Sequence, residues 1–268
     1  MFSGNPSSIR QPAVAGQFYP DDPKQLNNIL EQMFQQAKPS KHGHVKALIV
    51  PHAGFIYSGP IAASAYQVLV SQAEIIKRVI LLGPSHRVGF YGLATSSATT
   101  FDMPQGDIKL DRNAIDMISS MPQVIQNDQA HLLEHSLEVQ LPFLQRVLNN
   151  FELVPIVVGD SPADQVAEVL EKLWGGDETL IVISSDLSHY HSYDVAQKQD
   201  KQTSTAILNL QPELIQYEDA CGRNPVNGLL KAAKHHQLSP QLVDLRNSGD
   251  TAGDHDRVVG YGAYLFTD

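Results

Sequence analysis

The sequence predicts an α/β fold with a mostly parallel central sheet and helices on both faces. Two observations lead there. Four short runs, Val45–Val50, Arg78–Leu82, Leu153–Val158 and Thr179–Ile183, are almost unbroken Val, Ile and Leu, the composition of strands buried on both faces. Stretches with helical spacing lie between them, so strand and helix alternate as in parallel sheets.

Taken in order, residues 1–20 are polar and punctuated by Pro and Gly, and are expected to form an irregular arm over the body. Asp21-Asp22-Pro23 supplies an N-cap with Pro in the first turn, and Leu26, Ile29, Leu30, Met33 and Phe34 follow at helical spacing, so residues 23–37 read as an amphipathic helix. Pro39 to His44 reads as a loop. The first buried run ends at Pro51-His52-Ala53-Gly54, and a helix is expected from Ser58-Gly59-Pro60 to about Gln72. The second run closes at Gly83-Pro84-Ser85-His86. Tyr91 to Leu110 alternates polar and apolar residues around Asp102-Met103-Pro104, which suggests an antiparallel hairpin or edge excursion. Residues 135–149 place Leu137, Leu141, Leu144 and Leu148 on one helical face, with Pro142 expected to kink it. The third run closes at Gly159-Asp160 and leads into a helix from about Pro162 to Leu173. The fourth closes at Ser184-Ser185-Asp186-Leu187-Ser188-His189, and Val258 to Phe266 reads as a final strand. No repeat, low-complexity tract or linker interrupts the 268 residues, so one domain over 1–268 is the expectation.

Composition narrows the function classes. The formal charge of −10 argues against nucleic acid or an anionic membrane as the main partner, since both require clustered Lys and Arg. No stretch approaches the roughly 20 apolar residues of a membrane span. A single cysteine, Cys221, forms no internal disulfide and fits a reducing compartment, and no apolar signal segment opens the chain, so a cytoplasmic protein is expected. There is no Walker A loop, no Gly-x-Gly-x-x-Gly after the first strand, no His-Glu-x-x-His, no Gly-x-Ser-x-Gly and no Cys-x-x-Cys.

Three of the four buried runs are followed by a histidine: His52, His86 and His189. Ligands of open parallel sheets bind beyond the carboxyl ends of the strands, so residues distant in sequence are placed to meet there. Imidazole suits Fe, Zn, Cu and Ni. The anionic candidates nearby are Asp186, Glu134, Glu138, Asp160 and the thiolate of Cys221. A lone strand-end histidine is more often a turn residue, Asp186 could cap the following helix, and Cys221 could be a small buried apolar residue. Glu134 and Glu138, one helical turn apart, read as a solvated face. His131 and His135 read as structural or supporting residues, and His42, His44, His235, His236 and His255 as loop or helix-surface residues.

Six blocks carry a resemblance: Arg10 to Pro20, Pro51 to Gly59 (Pro-His-Ala-Gly-Phe-Ile-Tyr-Ser-Gly), Leu82 to His86, Glu134 to Pro142, Ser184 to His189, and Cys221-Gly222-Arg223. In this order they resemble the Memo family, known in microbes as AmmeMemoRadiSam system protein B. That family is similar in fold to the class III (LigB-type) extradiol dioxygenases, which are non-haem iron enzymes. The resemblance implies His52, His86 and Cys221 as metal ligands, His189 and Asp186 as the catalytic pair, and Tyr57 and His135 as supporting neighbours. It implies Fe(II) first, with Cu or Zn as alternatives because thiolate is a soft ligand. Three readings are open: a metal-dependent oxidoreductase on a small substrate; a non-catalytic module that recognises a peptide or protein partner, of a radical-SAM system for example; and metal-assisted hydrolysis.

Overall fold

The computed structural model describes residues 9–37 and 42–268; the first eight residues of the arm and the first half of the loop expected at 39–44 lie outside them. The elements in chain order are β1 (Ile9–Arg10), α1 (Pro23–Gln36), β2 (Val45–Val50), α2 (Phe55–Tyr66), β3 (Arg78–Pro84), β4 (Leu93–Thr95), β5 (Thr100–Phe101), β6 (Ile108–Lys109) and α3 (Arg112–Ile118). They continue with β7 (Val124–Gln126), α4 (Asp128–Leu132), α5 (Leu141–Val147), β8 (Glu152–Val158), α6 (Ala163–Leu173), β9 (Thr179–Ser184) and β10 (His189–His191). Last come α7 (Tyr193–Leu208), α8 (Arg223–His235), β11 (Ser239–Asn247) and β12 (Val258–Thr267).

The four apolar runs are β2, β3, β8 and β9, and they pair in parallel in the order β2-β9-β3-β8. Every residue of β2 and β9 is buried, so the sheet is covered on both faces. Helices α1, α2 and α5 contact one another, and α6 contacts both α3 and α8, which gives two helical layers. The flanks depart from the parallel expectation. β12 runs antiparallel to β2, β11 and β10 run antiparallel to β12, and β4 runs antiparallel to β8. The excursion at 91–110 splits: β4 extends the large sheet, while β5 and β6 pair antiparallel in a small sheet whose third strand is β1.

Local chemistry explains the element ends. The Asp22 carboxylate accepts the Gln25 N–H at 2.8 Å, Pro23 occupies the first turn, and Leu26, Leu30 and Phe34 point inward. The second helix begins at Phe55 rather than Ser58, contains Pro60, and gives way to a 3-10 turn over Gln67–Gln72. Pro142 does not kink a helix; it sits in the first turn of α5, where its missing N–H costs nothing. No helix among the described residues is long and apolar enough to cross a membrane.

Glu134 and Glu138 are not on a solvated face. Both are buried, and Glu138 ties down the start of the described chain. Its Oε2 accepts from the Arg10 guanidinium and from the Ala13 N–H at 2.7 Å; its Oε1 accepts from the Val14 N–H at 2.9 Å and the Tyr19 hydroxyl at 2.6 Å. Arg10 also donates to the carbonyls of His131 (3.1 Å) and Glu134 (2.7 Å). Residues 10–19 are therefore fastened into the body, not laid loosely over it.

His131 is structural, with its Nε2–H donating to the Ala94 carbonyl at 3.0 Å. Burial is the main cause that pushes its pKa down to about 4. A histidine with a folded pKa below its unfolded value of 6.5 favours folding above pH 6.5, and that contribution is lost as pH falls towards 4. Urea titrations should find roughly 2 kcal/mol less stability at pH 5 than at pH 7 from this residue. His131→Gln should lose that increment of acid sensitivity; an unchanged pH slope would show that the ring is not held neutral.

Candidate metal centre

The strand order places the candidate residues. β9 lies between β2 and β3 and all three are parallel, so the segments that follow them emerge side by side. They carry His52, Asp186 and His86. The turn after α4 brings up His135 beside them.

One ring nitrogen from each of His52, His86 and His135 falls within 4.8 Å of the others. The ring centroids are 5.2 Å apart for His52 and His86, 5.5 Å for His52 and His135, and 4.6 Å for the stacked pair His86 and His135.

Hydrogen bonds fix how two of these rings present themselves. His52 Nδ1 is 2.8 Å from Ser184 Oγ. That hydroxyl spends its only proton on the Ser136 carbonyl (2.6 Å) and also accepts from Gln140 Nε2 (2.8 Å). His52 Nδ1 must therefore donate, which leaves a lone pair on Nε2. His86 Nδ1 lies 2.8 Å from Glu134 Oε1, a carboxylate that can only accept, so here too the proton is on Nδ1.

Burial raises the Glu134 pKa, but hydrogen bonds from the His86 ring and the His86 and Ser136 backbone outweigh it and hold the carboxyl at about 2. Burial keeps His52 well below the usual histidine range and His135 at about 4, so both rings are neutral near pH 7. His135 Nδ1 is a buried polar atom with no hydrogen-bond partner.

Imidazoles with committed Nδ1–H groups, a carboxylate behind one of them and an orphaned buried nitrogen on a third form the donor set a transition-metal ion requires. The residues fit the group.

These rings face a cavity of about 1030 Å³, which Phe18, Tyr57, Asp186, His189, Cys221 and Tyr261 also line. A sequence model described as Memo-like protein matches residues 10–265. The chain belongs to the Memo-like family. It is 37% identical to a MEMO1 family protein of Aquifex aeolicus over 96% of this chain and 99% of that one. It is 35% identical to a MEMO1 family protein of Ignicoccus hospitalis over 96% and 98%. A crystal structure of an uncharacterized protein of Escherichia coli K12 shares the fold, with a TM-score of 0.54 over 82% of this chain and 99% of that one at 12% identity.

In this Memo-like chain the candidate donors group differently from the expected set of His52, His86 and Cys221. His135, expected as a supporting neighbour, lies within the mutually close ring nitrogens, and Glu134 accepts its backbone N–H and that of Ser136. Cys221, expected as the third ligand, falls outside the mutually close set. Its Sγ sits 3.3 Å from His52 Nε2 and 3.9 Å from Ser185 Oγ. Burial, followed by the nearby Asp186 carboxylate, pushes its pKa far up, so without a metal it is a thiol.

Asp186 is buried and its Oδ1 accepts the His52 N–H at 2.7 Å, which couples the two strand ends. Burial is the main cause of its raised pKa. His189 is half-buried on the cavity wall, as is Tyr57. Asp160 is exposed and does not line the cavity.

Sequence reasoning missed Glu134 as the carboxylate behind His86, and Ser184 and Gln140 as the groups that set the His52 tautomer. Glu134 stood among the anionic candidates, and adjacency pointed the same way: Glu134 precedes His135, and Ser184 ends the strand that leads to Asp186.

Proposed function

We propose that this Memo-like chain is a metal-dependent oxidoreductase, using non-haem iron or copper, that acts on a small substrate bound in the 1030 Å³ cavity. The observation that carries this reading is the convergence of three imidazoles on the wall of an open cavity that also holds His189 and Asp186. Three protein ligands leave further positions of an ion accessible. A bound iron or copper would supply Lewis acidity and one-electron chemistry.

The chain's own residues have separable parts. His52, His86 and His135 would hold the ion, and Glu134 and Ser184 orient two of those rings. Asp186 fixes the His52 backbone, and His189 stands on the cavity wall as the group that exchanges protons with substrate. Phe18, packed against His135 with ring centroids 4.9 Å apart, restricts water on that side.

The test is anaerobic loading with Fe(II), followed by nitric oxide, an O₂ surrogate that gives a distinctive electron paramagnetic resonance signal on iron with free positions. The full chain should give that signal, and His135→Ala should lose it together with the iron. An iron-loaded protein that takes up no nitric oxide would have a closed structural centre, contradicting the proposal.

A second reading, recognition of a peptide or protein partner without turnover, draws support from the cavity mouth. Ile56, Tyr190 and Tyr217 line it and are 65%, 63% and 74% exposed. Partner affinity that survives His52→Ala and His86→Ala would favour this reading.

A further inference from the structure

Residues 134–140 touch the surroundings of all three imidazoles. Glu134 accepts the His86 Nδ1–H and the His86 backbone N–H, and His135 belongs to the segment itself. Ser136 Oγ donates at 2.8 Å to the carbonyl of Pro84, just before Ser85-His86. The Ser136 carbonyl accepts the Ser184 hydroxyl, whose oxygen holds His52 Nδ1. Gln140 Nε2 donates to that same oxygen and, at 2.8 Å, to the carbonyl of Pro51, which precedes His52. A carbonyl can only accept, so the amide orientation is fixed, and Gln140 Oε1 is left to the Tyr66 hydroxyl at 3.0 Å. Ser136, Glu138 and Gln140 are fully buried. Glycine at position 83 permits the close approach, since a Cβ there would lie 2.8 Å from Ser136 Oγ.

The N-terminal arm grips the same segment. The Arg10 guanidinium spans three acceptors: the Glu138 carboxylate, the Glu134 carbonyl and the His131 carbonyl. Glu138 also accepts from Ala13, Val14 and Tyr19. The Val14 carbonyl in turn accepts the Gln17 N–H at 3.1 Å and the Phe18 N–H at 2.9 Å, and the Phe18 ring packs on His135. The arm therefore reaches the centre twice, through the backbone of residues 134–140 and through Phe18. Neither Arg10 nor Tyr19 lines the cavity.

We propose that Arg10 and Tyr19 are positioning residues for the imidazole cluster: docking of the arm sets residues 134–140, and these set the three rings. This rests on the cluster being the metal site, and it adds that arm and metal favour one another. Ligating side chains must be held within about 0.5 Å of their working geometry, so slack in one shared segment is felt at all three rings. A planar guanidinium can bridge three acceptors on that segment where a compact ammonium cannot. The coupling is reciprocal: the factor by which a docked arm raises metal affinity is the factor by which metal favours the docked arm.

The test compares full-length wild type with Arg10→Lys, which keeps a charge beside Glu138 but loses the fork, and with Tyr19→Phe, which removes one hydroxyl. Asp111→Ala is the control: it uncaps α3 and releases Arg78, and those partners belong neither to the arm nor to residues 134–140. In metal-free protein, NMR should find the His86 Nδ1 proton exchanging with water ~10-fold faster in Arg10→Lys than in wild type. Zn(II) affinity, from chelator competition, should fall ~10-fold in Arg10→Lys and ~3-fold in Tyr19→Phe, and stay unchanged in Asp111→Ala. Saturating Zn(II) should slow exchange of the wild-type Ala13 and Val14 amides ~10-fold beyond any slowing in α6. The proposal is overturned if Arg10→Lys leaves both the His86 proton and the zinc affinity as in wild type. It is equally overturned if Asp111→Ala weakens zinc as much as Arg10→Lys does, or if zinc slows the arm amides no more than those of α6. A wild type that binds no zinc, while Arg10→Lys still frees the His86 proton, would sink the metal reading and support positioning by the arm.

Discussion

Glu138→Ala should lower stability by about 3–5 kcal/mol, the scale for removing one partner of a buried ion pair. Burial makes the effect large. Glu138 is fully buried, and its two oxygens accept from Arg10, the Ala13 and Val14 backbone and the Tyr19 hydroxyl. Alanine would strand the Arg10 guanidinium and orphan two N–H groups and a hydroxyl away from water. Glu138→Gln keeps the shape and one acceptor oxygen and should fall between wild type and alanine. Urea denaturation monitored by far-UV circular dichroism measures both variants. A change below 1 kcal/mol for alanine would mean that residues 10–19 are not fastened by this carboxylate.

Metal affinity should fall most steeply at His52, His86 and His135, where alanine removes a donor. Glu134→Gln should cost about 10–100-fold, the usual effect of losing a group that orients a ligand, because an amide cannot hold both the His86 Nδ1–H and the backbone N–H groups on charged oxygens. Cys221→Ser should weaken binding less than His135→Ala, since Sγ lies outside the mutually close donors. Chelator competition with Zn(II) reports all of these on folded protein without requiring turnover. If Cys221→Ser proves as damaging as His52→Ala while His135→Ala is mild, the sulfur and not the third imidazole completes the site.

Much of the fold was legible because buried parallel strands announce themselves. β2, β3, β8 and β9 are near-continuous apolar runs, and the predicted helices at 23–37 and 162–173 differ from α1 and α6 only at their ends. The antiparallel flanks were not legible, because composition does not encode the direction in which β12 meets β2. Strand-end placement brought out His52 and His86, since the carboxyl end of a parallel sheet gathers the loops that leave its strands. It could not rank His135 against Cys221. Both reach the cavity from connections whose path depends on tertiary hydrogen bonds, in one case the Glu134 clamp on the His135 backbone. Glu134 and Glu138 misled for a related reason. Spacing of one helical turn is equally consistent with a solvated face and a buried one, and only the Arg10, Tyr19 and His86 partners decide between them.

The most direct test of metal binding by the imidazole cluster is a crystal structure of the Fe(II)-loaded protein, with diffraction recorded on both sides of the iron absorption edge. A single anomalous peak bonded to His52, His86 and His135 is the expected result. A loaded protein whose iron lies away from these three rings would contradict it.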